Sequence, residues 1–223
     1  MIAAITLLRR KPGLSPAEFQ AYWRRQHAAV IEALPGIERY TQSHPLDART
    51  AAPAADWDGV AELWARDSQV FRDIGTSDAY QRVLQDEENF LDRGATALVL
   101  TEARPVLESA NADGAIRYIR FFKRRPDASP QDFQFRWLEV YGPLLAALPG
   151  LRRYVQYPAR LGGYKGGREP LYDGFDVTCF DDADSLRAAF ASPTGKAARA
   201  AETGFLAGGE APGIIARELR LIG

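Results

Sequence analysis

Apolar residues along this chain fall into two spacings that take turns. Short runs alternate apolar with polar, as half-buried strands do, and longer stretches carry apolar residues three or four apart, as helices packed on one face do. The first run, Ala3–Leu8, reads as a strand closed by Arg9-Arg10-Lys11-Pro12. Ser15-Pro16-Ala17-Glu18 then supplies a cap, a proline in the first helical turn and the acid of a capping box. The stripe that follows is Phe19, Trp23, His27, Val30 and Leu34, and Pro35-Gly36 stops it. Ile37–His44 alternates again, with Tyr40, Gln42 and His44 on one face. A loop over Pro45–Asp56 leads to a strand at Val60–Trp64, helices at Ser68–Ile74 and Asp78–Leu91, and a strand near Thr96–Arg104.

The same order returns. Ile5–Gln42 and Ile119–Gln156 align without a gap at an offset of 114, and 15 of those 38 pairs are identical. From Gly59/Gly174 through Phe90/Phe205 the offset is 115. The second copy places strands at Ile116–Phe122, Leu151–Tyr157, Phe175–Phe180 and Gly213–Ile222, and its first helix at Ser129–Ala146. A repeat of this length is two copies of one supersecondary unit. The predicted fold class is α+β: two tandem ferredoxin-like β-α-β-β-α-β repeats, residues 1–109 and 115–223, joined by a linker at 110–114. A four-stranded sheet with helices on one face needs cover on the other, so the two sheets are expected to pair into an α/β barrel, an internal pseudo-dimer.

Composition narrows the function classes. With 223 residues, a net charge of −1 and a pI near 6.2, the chain has no basic footprint for nucleic acid or an anionic membrane. The single cysteine, Cys179, excludes an intrachain disulfide and reads as a small buried residue. The N-terminal apolar run is short and its positive charges follow it, the wrong order for a signal peptide. A cytoplasmic location is the expectation. No His/Cys/acid spacing asks for a metal, and neither a G-x-S-x-G elbow nor a dinucleotide fingerprint is present. The string LGGYKGGRE (161–169) lacks P-loop spacing and reads as a mobile loop. The basic clusters Arg9–Lys11 and Lys123–Arg125 read as solvated turn charges.

The strings F-x-x-Y-W-x-x-x-H (Phe19–His27), L-P-G-x-x-R-Y (Leu34–Tyr40), W-D-G-x-x-E-L-W (Trp57–Trp64) and D-E-x-x-F-x-D (Asp86–Asp92) resemble the EthD-like proteins of the dimeric α/β-barrel superfamily. The first half matches along nearly its whole length; the second loses the histidine, the Trp-Asp pair and both acids flanking Phe205. The resemblance implies an aromatic-lined pocket between helices and sheet, with no obligatory metal or organic cofactor. It points to lyases, dehydratases, decarboxylases and isomerases of aromatic or polyketide-like compounds. The superfamily also holds cofactor-free monooxygenases and haem proteins, but no pattern here specifically asks for haem.

The two histidines of the chain, His27 and His44, face Tyr141 and Pro158 in the second half, so one half alone carries imidazole chemistry. His27 is the expected acid or base, Asp86 (Ala201 in the second half) its orienter, and His44 a second proton-transfer group or an exposed strand-end residue. Glu87 recurs as Glu202, which favours a structural charge pair, and Asp92 reads as a helix-end acid. Trp23, Tyr40, Trp64, Tyr80 and Phe90 are the candidate walls for a flat apolar substrate, although the recurrence of Tyr40 and Gln42 as Tyr154 and Gln156 favours an architectural role for that pair. The leading expectation is a cofactor-independent lyase or isomerase acting on a small molecule, its competent pocket in the first half. A non-catalytic binding protein and a cofactor-free monooxygenase are the alternatives. Whether such chains associate as a homodimer is left open by the sequence.

Overall fold

The computed structural model describes residues 1–46, 56–108 and 114–223. Most of the loop expected over Pro45–Asp56 and nearly all of the linker expected at 110–114 lie outside the described residues. Two compact units are present. The first comprises Met1–His44, Trp57–Leu100 and Glu218–Gly223; the second comprises Pro45–Asp56 and Thr101–Arg217. Among the described residues no helix is long and apolar enough to cross a membrane.

In the first unit the elements are β1 (Ile2–Leu8), α1 (Pro16–Tyr22), a π turn (Trp23–His27), α2 (Ala28–Glu32), β2 (Arg39–Pro45), β3 (Gly59–Ala65), α3 (Ser68–Gly75), α4 (Asp78–Glu87) and β4 (Ala97–Glu102). The strands stand in the order β4-β1-β3-β2, with Thr6 opposite Ala61 and Gln42 opposite Ala61 fixing the antiparallel registers. The second unit repeats this with β6 (Ile116–Phe122), α5 (Pro130–Phe135), a π turn (Arg136–Tyr141), α6 (Gly142–Ala146), β7 (Arg153–Pro158), β8 (Gly174–Phe180), α7 (Ala183–Ala191), α8 (Pro193–Glu202) and β9 (Gly213–Ile222). Its order is β9-β6-β8-β7, and β5 (Arg104–Leu107) adds to the β7 edge. Each repeat is therefore the ferredoxin-like β-α-β-β-α-β unit.

Two boundaries and the form of the first helix depart most from the pattern-based expectation. The strand expected through Arg104 divides into β4 and β5, since Arg104 and Pro105 pair with Gln156 and Val155 of β7. Helix α4 stops at Glu87 rather than Leu91, because the next residues turn into a bridge between Arg10 and Leu91. The long first helix is not a uniform α-helix. Its middle turn is a π turn in both repeats, and a π turn advances more residues per turn than an α turn. The buried stripe accordingly runs Phe19, Trp23, His27, Ile31, in steps of four, and Val30 is only half-buried.

The widened turn seats the Trp23 indole directly on Gly59, where an added Cβ would stand 2.4 Å from the ring; Trp137 sits on Gly174 in the same way, at 2.2 Å. The Gln42 amide donates to the Trp23 carbonyl at 2.9 Å and to the Tyr40 hydroxyl at 2.7 Å, and Gln156 donates to the Trp137 carbonyl at 3.1 Å. Nor are the basic clusters free turn charges. Asp58 accepts from the Arg10 backbone N–H at 2.9 Å and from its guanidinium, and Asp173 accepts from the Arg124 N–H and Nη1 at 2.9 and 2.8 Å. The glycine-rich segment is likewise tied down: Tyr164 donates to Asp173 at 2.6 Å, and Glu169 takes both Arg124 amino groups at 2.7 Å.

The second repeat buries a polar cluster inside its helix-covered face. Arg120 Nη1 donates to Glu202 Oε1 at 2.7 Å, its Nη2 donates to the Tyr141 hydroxyl, and Asp176 Oδ2 stands 3.7 Å from Nη2. Tyr154 donates to Asp176 Oδ1 at 3.0 Å. Burial outweighs the Arg120 charge and raises Asp176 from 3.8 to about 7. An acid raised on folding favours the folded state while protonated, so its contribution fades as pH rises between 3.8 and about 7. Thermal melts across that range should show stability falling with pH, and Asp176→Asn should flatten the slope. Gly59→Ala should cost about 1–3 kcal/mol in urea denaturation, since the ring above it must shift; an unchanged midpoint would show the indole free to move.

Candidate active site

The π turn carries His27 inward. Its ring is buried, with its centroid 4.7 Å from that of Phe90, and Nδ1 lies 2.7 Å from Asp86 Oδ2 on α4. The other carboxylate oxygen of Asp86 accepts the Tyr22 hydroxyl at 2.7 Å, and Asn89 Nδ2 donates to that hydroxyl at 3.1 Å. Tyr22 stacks on Phe90 at 5.1 Å. A carboxylate that accepts from both Tyr22 and Nδ1 fixes the ring tautomer: the proton sits on Nδ1 and the lone pair on Nε2. Nε2 points away from Asp86 and has no hydrogen-bond partner among the described residues.

Burial lowers the His27 pKa from 6.5, and the Asp86 hydrogen bond and charge oppose it only in part. Tyr22 is raised by burial first and by Asp86 second. Asp86 also lines an open cleft of about 490 Å³ between α2 and α4, together with Ala29, Val30, Ala33, Arg82, Gln85 and Asn89. The hydrogen-bonded set thus has a buried imidazole at one end and a carboxylate lining an open cleft at the other.

His44 belongs to a different set of contacts. Far from being an exposed strand-end residue, it is buried, with its ring centroid 4.5 Å from that of Trp23. Nδ1 faces Gln20 Oε1, and Nε2 faces Gln42 Oε1 at 2.9 Å. Two amide oxygens favour a protonated ring, but burial and the nearby Arg24 charge outweigh them and lower His44 to about 4. His27 and His44 share no hydrogen bond or ring contact among the described residues.

The candidate substrate walls scatter. Trp23, Tyr40 and Phe90 are fully buried packing residues, Phe90 being the one in ring contact with His27. Trp64 lies on the sheet face opposite the helices, its ring 4.4 Å from the Arg39 guanidinium carbon. Tyr80 is half-buried on α4 and is raised by burial and by Glu87. Glu87 makes an ion pair with Arg93 at 3.5 Å, and Glu202 makes one with Arg120. Among the described residues no group of three or more His, Cys, Asp or Glu could hold a metal ion.

Sequence reasoning passed over Tyr22 and Asn89, yet a signal was available. Tyr22, His27, Asp86 and Asn89 become Arg136, Tyr141, Ala201 and Gly204 in the second repeat, so the four polar partners are lost together.

Residues 11–94 and 125–209 each match the model of the EthD domain. No curated protein matches the sequence at a significant level. Among solved structures, an anthrone oxidase-like protein is 14% identical, covering 99% of this chain and 93% of its own, with a TM-score of 0.70. A candidate monooxygenase of Fusobacterium nucleatum subsp. nucleatum is 9% identical over 99% and 92%, with a TM-score of 0.60. These two likenesses show the fold alone. An ethyl tert-butyl ether degradation family protein of Bacillus halodurans is 24% identical, covering 47% of this chain and 99% of its own, with a TM-score of 0.39.

The geometry fixes how the His27 signal should move in an NMR titration. The wild-type ring should titrate below 6.5, and Asp86→Asn should lower it further by removing the carboxylate that supports the imidazolium. A rise on that substitution would mean the 2.7 Å contact does not hold the ring.

Proposed function

The chain belongs to the EthD domain family, and from that premise we propose that it is a cofactor-independent acid–base enzyme, a lyase or isomerase of small apolar aromatic or carbonyl compounds. One observation carries this: Nδ1 of His27 is held by Asp86, itself held by Tyr22, which leaves the lone pair of Nε2, on a buried ring, with no protein partner among the described residues. A ring that burial keeps neutral near pH 7 is a base before it is an acid. Nε2 would take a proton from carbon or oxygen of the substrate. The resulting imidazolium would be stabilised by Asp86 and would return the proton at another atom, completing an isomerisation, or deliver it to a departing hydroxide, completing a dehydration. In a decarboxylation Nε2 would first take up a proton from water, and the imidazolium would then protonate the carbanion left by carbon dioxide. His44 stays outside this path, because both its nitrogens already face amide oxygens; it positions Trp23 and the strand end.

Proton abstraction can be tested without knowing the natural substrate. In deuterium oxide, 2-tetralone, an aromatic ketone with acidic C–H bonds, should lose its α-proton NMR signals faster with the protein than without it. His27→Ala should reduce the protein-dependent rate by about 10²–10⁴-fold, Asp86→Asn by less, with folding retained by circular dichroism. The rate should fall as pH is lowered through the His27 pKa, since the base must be unprotonated. Exchange equal in wild type and His27→Ala would sink the assignment. Tight binding with no exchange in either protein would favour a binding protein, and dioxygen uptake with the ketone would favour a monooxygenase.

A further inference from the structure

The last helix of each repeat shares a frame but not an outer face. At the offset of 115, α4 and α8 keep the capping serine as Ser77 and Ser192, the acid as Glu87 and Glu202, and the ring beyond it as Phe90 and Phe205. Arg82, Gln85, Asp86 and Asn89 stand three and four apart, the spacing of one helix side, and in the second repeat they become Ala197, Ala200, Ala201 and Gly204. The exchange of Asp86 and Asn89 follows from the loss of His27 and Tyr22, to which they are bonded. Among the described residues Arg82 and Gln85 make no bond to that set, so their loss with the others has a separate cause.

The four residues form one wall of the open cleft of about 490 Å³, and Ala29, Val30 and Ala33 form the other. That volume is on the scale of small-molecule sites. The α2 wall is a narrow apolar strip of short side chains. The α4 wall holds an unsatisfied cation. Asp78 and Asp86 flank Arg82 at four residues on either side, where an acid can meet an arginine along a helix. Yet neither Arg82 nor Gln85 has a hydrogen bond or ion pair among the described residues. Asp86 is turned to His27 and Tyr22 instead.

We infer that this cleft is a second ligand site, and that it takes a small aliphatic monocarboxylate, its carboxylate on Arg82 and Gln85 and its chain along Ala29, Val30 and Ala33. The planar guanidinium matches a carboxylate with two parallel N–H bonds, and the Gln85 amide supplies a further donor beside it. One unpaired cation next to the Asp86 carboxylate suits a single negative charge, whereas a phosphate dianion would meet repulsion from Asp86 with its second charge unmatched. The strip on α2 shields an alkyl chain from water, which adds affinity with each methylene covered. The cleft opens on Asp86, which is bonded to Nδ1 of His27, while Nε2 points away from that carboxylate. The site therefore stands whether or not His27 is a base.

The test is an NMR titration with octanoate, followed on the side-chain N–H signals of Arg82 and Gln85, against 1-octanol, which lacks the charge, and acetate, which lacks the chain. Wild-type protein should bind octanoate saturably and each of the other two about tenfold or more weakly. Arg82→Ala introduces the residue of the second repeat at an exposed position, so folding should be kept while affinity, read on the Gln85 amide, falls about tenfold or more. Ala29→Trp, also at an exposed position, should block the strip and weaken octanoate with Arg82 intact. Arg72→Ala, which removes an exposed arginine of α3, should change nothing. Octanoate and acetate binding alike would mean an adventitious carboxylate on a surface arginine, and octanoate and octanol binding alike would mean no recognition of charge; either overturns the site. So would undiminished binding in a folded Arg82→Ala or Ala29→Trp variant, or displacement of octanoate by 2-tetralone, which would put both at the imidazole.

Discussion

The indole of Trp23 rests on the backbone of Gly59 with no room for even one added carbon. That contact sets how high the first helix rides over the sheet. A helix of uniform α geometry would rotate Phe19, Trp23, His27 and Ile31 progressively off the contact line, since four residues exceed one α turn. The π turn at Trp23–His27 absorbs the excess and keeps all four facing the strands. Gln42, on the strand below, donates to the carbonyl at the start of that turn and to Tyr40. Removing the glycine, the glutamine or the widened turn would each change where His27 points, so the placement of that ring depends on a packing contact that contains no titratable group.

Because both repeats share this frame, they differ chiefly in what stands beneath it. One solution fills the interior with Arg120, Glu202, Asp176 and two tyrosine hydroxyls. Burying charges without near-complete pairing is costly, and the cost shows here: among the described residues Arg120 Nε and Asp176 Oδ2 have no hydrogen-bond partner, and burial raises Asp176 to about 7. The other solution uses alanine and threonine on the strand and puts the titratable groups on the helices instead, with Asp86 at an open cleft. A duplicated chain can hold both, one half carrying an imidazole beside an open cleft and the other a guanidinium buried among acceptors.

The repeat made the β-α-β-β-α-β architecture of each half legible from sequence, and the cap at Ser15, which forms the expected box with Glu18, was legible too. His27 and Asp86 were legible as a pair because they are lost together in the second repeat, and they stand 2.7 Å apart. The exposure of His44 was not legible: Pro45 after it suggests a strand end, but the Gln20 and Gln42 side chains that cover it come from another element and from two residues back on its own strand. Trp64 was misplaced for a similar reason. Its type suits a pocket wall, but the alternation of β3 puts it on the face away from the helices. The cluster around Arg120 and Asp176 left a visible mark, charged residues inside the apolar strands IRYIRFF and GFDVTCF, whose meaning emerges only when β6 and β8 are set side by side.

What decides between acid and base at His27 is which of two opposing effects is larger. Burial disfavours the imidazolium, Asp86 favours it, and burial wins at rest. In the proposed reaction the balance would change once a proton arrived from a bound compound, because a bound apolar molecule would exclude water and strengthen the attraction across 2.7 Å. Asp86 would then stabilise a charge that it is too weak to create alone. The hydroxyl of Tyr22 on its other oxygen restrains the carboxylate from turning away. In the second repeat the same position holds Tyr141, whose hydroxyl burial raises well above its ordinary range and which therefore neither takes nor gives a proton near neutrality. The asymmetry between the halves is thus one of proton affinity, set by a single ring at the end of the same π turn.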